Sequence, residues 1–129
     1  MTGVDIPGAP GEPLEPGMAI LAAALELEHE PLPPEQVIHG APTTAVRILE
    51  EREGRELGVW EMTPGIAWDV EVDETFVVLF GDATVDFEDG VDQGRSVALA
   101  PGTMLRLREG QRTRWTVRQT LRKVYSATL

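Results

Sequence analysis

The sequence predicts an all-β domain built as an antiparallel barrel, and three observations carry that expectation. From Thr43 onward, short apolar segments alternate with turn signals about every 8–12 residues, the spacing of a sandwich or barrel. Two segments, Ile66–Val72 and Arg112–Arg118, alternate with the two-residue period of a half-buried strand. No stretch after Thr43 has a helical period.

The elements follow in order. Residues 1–17 hold Pro7, Pro10, Pro13 and Pro16 with four glycines, and read as a flexible arm. Residues 18–42 form an N-terminal extension. Its apolar stretch, Met18 to Glu28, fits either a short helix or a first strand, and Pro31-Leu32-Pro33-Pro34 is an extended connector. Residues 43–129 are the barrel. Strands are predicted at Ala45–Glu50, Leu57–Met62, Ile66–Val72, Thr75–Phe80, Ala83–Phe87, Ser96–Leu99, Met104–Arg108, Arg112–Arg118 and Leu121–Thr128. Turns fall at Thr63-Pro64-Gly65, Gly81-Asp82, Glu88-Asp89-Gly90, Pro101-Gly102 and Glu109-Gly110.

Composition limits the class. A chain of 129 residues, 42% of them hydrophobic, supports one domain with a real core. With no cysteine there is no disulfide framework, thiolate metal site or cysteine nucleophile, which fits a cytoplasmic setting. Neither a secretory leader nor an apolar run of membrane-spanning length is seen, so no membrane partner is expected. The net charge is −11, and the basic residues crowd into the last third, where Glu109 is the only acid after Arg95. Those basic strands are expected to pair across to acidic neighbours. With the overall acidity opposing phosphate, no nucleic-acid partner is expected.

The segment Gly58-Val-Trp-Glu-Met-Thr-Pro-Gly65, followed by Asp73-Glu74 and Gly81, and the ending Trp115-Thr-Val-Arg-Gln-Thr-Leu-Arg-Lys-Val-Tyr125 resemble the cupin family that includes ureidoglycine aminohydrolases and ethanolamine-utilisation cupins. The likeness runs from about Pro31 to Tyr125. It implies a cupin-type antiparallel β-barrel, a double-stranded β-helix or jelly roll. In the general cupin signature two histidine-bearing motifs hold a metal. Here Glu74 and Gly81 keep their spacing, and the two first-motif histidine positions fall on Trp68 and Val70. In the second motif Gly102 and Gly110 match, Arg108 replaces the proline, Thr113 the histidine and Val117 the asparagine. Of the four ligand positions only Glu74 suits a metal, so neither metal nor other cofactor is expected.

The candidate site residues are Trp68, Glu74, Phe76, Thr113 and Trp115, all expected to point inward toward one end of the barrel. Glu74 is the candidate acid or base, because a carboxylate facing an apolar interior needs a partner or a ligand. Trp68 and Trp115 either fill the former metal site or stack on a planar ligand. Trp60 reads as core, and Tyr125 and Arg122 as barrel-closing residues. His29 and His39, the only histidines, lie outside the motifs. Two functions remain open. One is a metal-free cupin that binds a small molecule in the barrel or serves a structural or regulatory role. The other is a small-metabolite enzyme of the ureidoglycine aminohydrolase type using Glu74. The enzyme lacks an evident inward cation to polarise its substrate. A homodimer is expected, because Met18–Leu25 is apolar and needs covering.

Overall fold

Two long strands organise the molecule. In the computed structural model, which describes residues 13–129, β6 (Glu74–Phe87) and β9 (Arg112–Thr128) run antiparallel over nearly their whole length, from Glu74 opposite Ala127 to Phe87 opposite Thr113. Most of the expected arm, residues 1–12, lies outside the described residues.

The sequence predicts a turn at Gly81, but β6 is continuous there and bends instead. The register shifts between Val78 and Ala83 as the strand passes from one layer to the other. Gly81 has φ 112°, and a Cβ on it would come within 2.4 Å of the Thr120 carbonyl oxygen. Only glycine allows this approach. The strands expected at Arg112–Arg118 and Leu121–Thr128 likewise prove to be one bent strand.

On one side of this corner, residues 74–80 and 121–128 are flanked by β4 (Arg55–Met62), β3 (Thr43–Arg52) and the short β1 (Glu30–Pro31), with β8 (Met104–Leu107) at the far edge. On the other side, residues 83–87 and 112–117 are flanked by β5 (Gly65–Val70) and β2 (Val37–His39), with β7 (Ser96–Leu99) opposite. Every pairing is antiparallel, so the two layers form a jelly roll. Phe76, Val78, Val85, Leu99, Leu107, Val117 and Leu121 fill the space between them.

The stretch Met18–Glu28 is neither a helix nor a strand; it holds one 3-10 turn, Ala22–Ala24. Its residues run along the outside of the first layer. Leu14 N–H donates to the Leu49 carbonyl at 2.8 Å, and the Ala22 carbonyl accepts from Arg122 Nη1 at 2.9 Å. Val59, on that outer face, is fully buried. Among the described residues no helix is long and apolar enough to cross a membrane.

The basic final third pairs with acids as expected. Arg114 meets Asp86 and Glu88, Arg118 meets Asp82, and Arg112 meets Asp89. These pairs are largely solvated and each contributes little.

Candidate functional site

The geometry of the barrel mouth follows from how β5 pairs with β9. Ala67 lies opposite Trp115 and Asp69 opposite Thr113, and both β9 residues are buried. Paired residues share a face, so Asp69 points inward. The ladder extends past β5 through Glu71 N–H to the Gln111 carbonyl and Gly110 N–H to the Glu71 carbonyl, both 2.9 Å, and carries Glu71 inward as well.

Trp68 therefore points outward, opposite Arg114, and is 44% exposed. This corrects the expectation for Trp68, and Val70 and Val72 are exposed with it. The alternation of Ile66–Val72 is real, but its sense is reversed: the apolar set faces solvent and the acids face the barrel. A shift of one residue exchanges the faces of a strand, and here buried donors on β9 receive the acids.

Glu71 is the most elaborately held of these acids. Its Oε2 accepts from Thr113 Oγ1 at 2.6 Å and from Trp115 Nε1 at 2.9 Å. Trp115 Nε1 also lies 3.0 Å from Thr113 Oγ1. Burial, and then the negative charge of Asp69, push the Glu71 carboxyl up to about 7, against the pull of the Thr113 hydroxyl, Lys123 and the Trp115 indole. Burial raises Asp69 too, opposed mainly by the Val70 N–H at 2.8 Å. Glu71 therefore titrates near neutral pH beside Asp69.

Glu74 is buried as expected, but it is not free. Lys123 Nζ donates to its Oε2 at 2.8 Å. The ammonium is enclosed by three rings, with centroids 4.2 Å away for Phe76, 4.6 Å for Trp60 and 4.8 Å for Trp115. Cation–π contact and the carboxylate together compensate the lost hydration. Phe76 and Trp115 pack at 6.0 Å, so both take the inward places expected of them. At the far end of the pocket, Tyr125 Oη donates to Glu56 at 2.5 Å. A side chain at Gly58 would collide with that Tyr125 ring. Burial and Glu56 raise the Tyr125 phenol well above its usual range, so it stays protonated.

Asp69, Glu71, Glu74, Lys123 and Tyr125 line a cavity of about 80 Å³ beneath Trp60. Trp60, read from sequence as core, is the common wall of three spaces. It also borders a cleft of about 170 Å³ with Leu32, Gln36 and Trp68, and an outer one of about 460 Å³ with Glu28 and Glu30.

The sequence reasoning thus missed Asp69, Glu71, Lys123 and Trp60. One signal pointed to the lysine. The inward parity of Thr113, Trp115 and Val117 is interrupted at the exposed Gln119 and resumes at Leu121, Lys123 and Tyr125, all buried. The inward cation that seemed lacking is Lys123.

The metal common in cupins does not fit these residues. Lys123 places a fixed positive charge on Glu74, and Trp115 turns an N–H donor toward Glu71. Among the described residues no three His, Cys, Asp or Glu side chains are placed to hold a metal ion.

Comparison with known proteins agrees with the fold. The model of the EutQ-like cupin domain matches residues 49–125, more than half the chain. The EutQ protein of Clostridium difficile is 18% identical, with a TM-score of 0.58 over 67% of this chain and 68% of that one. A protein of unknown function from Pseudomonas syringae pv. tomato is 24% identical, with a TM-score of 0.71 over 86% of this chain. This chain spans about half of that protein, 47% of its length. A putative ethanolamine utilization protein from Salmonella typhimurium is 14% identical, with a TM-score of 0.57 over 80% of this chain and 95% of that one. No curated protein matches the chain. A jelly roll with the corner at Gly81, and a family match that runs from Leu49 to Tyr125 through both long strands, make this chain a member of the EutQ-like cupin domain family.

Proposed function

We propose that this cupin binds a small polar molecule in the open end of its barrel, against Asp69, Glu71 and the face of Trp60. The observation that carries the reading is the investment of buried charge around an open space. Glu71, Glu74 and Lys123 are each less than a tenth exposed, and all three line the same cavity. Apolar residues of similar volume fill a barrel at no desolvation cost. A carboxyl perturbed by burial beside a cavity, as Glu71 is, marks a candidate site.

The test is ligand-induced stabilisation of the purified protein across ureides, small carboxylates and small amines. A saturable response that Trp60→Ala and Glu71→Gln both weaken supports the site. A panel that leaves the folded wild type unmoved overturns it.

One observation favours a second reading, acid–base catalysis. Glu71 titrates near neutral pH beside a cationic Lys123, which together supply a proton carrier and a polarising charge. The acid–base role expected of Glu74 passes to Glu71, because Glu74 is held by Lys123. Turnover of any panel member with a pH dependence that Glu71→Gln removes distinguishes catalysis from binding.

A further inference from the structure

The charge balance of the barrel mouth selects its occupant, an inference that rests on the small-molecule reading above. The three spaces that meet at Trp60 are walled by Glu28 and Glu30 outside and by Asp69, Glu71 and Glu74 within. Lys123 is the one basic side chain among the residues lining them, and Glu74 already neutralises its ammonium at 2.8 Å. An anion entering here meets uncompensated negative charge in a space of reduced dielectric, where repulsion is stronger than in water. A cation meets the reverse, together with the face of Trp60.

Lys123 displays how this environment holds an ammonium group. One carboxylate oxygen and three ring faces suffice to keep it nine-tenths or more buried. The same ingredients recur one step outward, where Asp69 and Glu71 face the cavity beside Trp60. Among the cavity residues Trp60 alone borders all three spaces, so its ring is the aromatic surface common to them.

We infer that the occupant is a small organic cation of the primary-amine class, its ammonium seated between the Asp69–Glu71 pair and the face of Trp60. Such a group donates hydrogen bonds to carboxylates and is attracted by an aromatic face. Its binding competes with the proton on Glu71. The other ionisable groups facing Glu71 do not set the profile: Lys123 and Glu74 neutralise each other, and Tyr125 stays protonated beside Glu56. Affinity for the amine therefore rises with pH across the Glu71 titration near 7.

Isothermal titration of the full chain with n-propylammonium chloride and with sodium propionate, at pH 6 and pH 8, tests this. The amine is expected to bind, more tightly at pH 8, and propionate is expected not to. Glu71→Gln keeps an oxygen for Thr113 and Trp115, and is expected to weaken amine binding roughly tenfold and to flatten its pH dependence. Asp69→Asn serves as a second variant if that one does not fold. Propionate binding at least as tightly as the amine overturns the assignment, as does amine binding that neither variant alters. If a ureide or carboxylate binds in a Trp60-dependent manner while the amine does not, the amine class falls and the small-molecule reading stands. If none of the three classes binds, both fall.

Discussion

Two neighbouring rungs of the β4–β9 ladder carry the same kinds of residue and put them to different use. Trp60 pairs with Lys123 and Glu61 with Arg122. Strand alternation sends the first rung into the barrel and the second to its outer face. Inside, Lys123 is caged by aromatic rings and bonded to Glu74 beside an open cavity. Outside, Arg122 Nε meets Glu61 at 2.7 Å, the guanidinium lies over Phe80, and Nη1 reaches the Ala22 carbonyl. Glu61 Oε2 also meets His29 Nε2 at 2.6 Å, while His29 Nδ1 lies 2.8 Å from Thr43 Oγ1. Both cations are almost wholly buried. The outer pair spends its hydrogen bonds on a passing segment of the chain and the inner pair keeps a space open. Burial alone therefore does not distinguish the two ion pairs; what each pair faces does.

The comparison breaks first at the inner rung. Lys123→Ala leaves Glu74 buried without a partner and is expected to cost about 3–5 kcal/mol in denaturant unfolding. Adding Glu74→Gln is expected to restore part of that loss, because no uncompensated charge then remains. Additive losses in the double variant would show that the pair is not coupled.

Next in size is a pH effect. The Glu71 carboxyl sits at about 7 in the folded protein against an ordinary 4.5. The folded state thus holds the proton more tightly than the unfolded one. The stability it contributes is complete below 4.5 and is lost as pH rises to about 7. For this shift the loss is about 3–4 kcal/mol at most. Glu71→Gln is expected to remove this loss, so that the variant's stability falls less than the wild type's over that window. Parallel profiles from pH 4 to 8 would contradict the raised carboxyl.

The outer rung is expected to be the more forgiving. Arg122→Met leaves Glu61 its contact with His29, so the cost is about 1.5–3 kcal/mol, the range of a hydrogen bond to a charged group. It is also expected to raise hydrogen exchange around Ala22 while leaving the site intact. Unchanged exchange there would mean that the segment is held by other contacts. Smallest of all, Trp68→Ser is expected to shift stability by no more than about 0.5 kcal/mol, because Trp68 stands on the exposed face of β5. A loss of several kcal/mol would return Trp68 to the interior.

Local pattern determined the class of this protein. Thr43–Leu129 reads as strands and turns because period-two alternation and turn chemistry are properties of neighbouring residues, and the motifs from Gly58 to Gly81 and from Trp115 to Tyr125 placed it among cupins. The inward places of Glu74, Phe76, Thr113 and Trp115 were legible for the same reason. What the pattern cannot carry is the sense of an alternation, because both faces of Ile66–Val72 have a two-residue period. Hydrophobicity pointed Trp68 inward. The pairing of Asp69 with Thr113, forty-four residues away along the chain, pointed it out. Likewise, only the pairing of β6 with β9, which sets Glu74 and Lys123 on one inward face, brings them to one place. The strands are local, so the sequence determined them; the charges that meet at the barrel mouth come from three strands, and only the tertiary structure decided that they would meet.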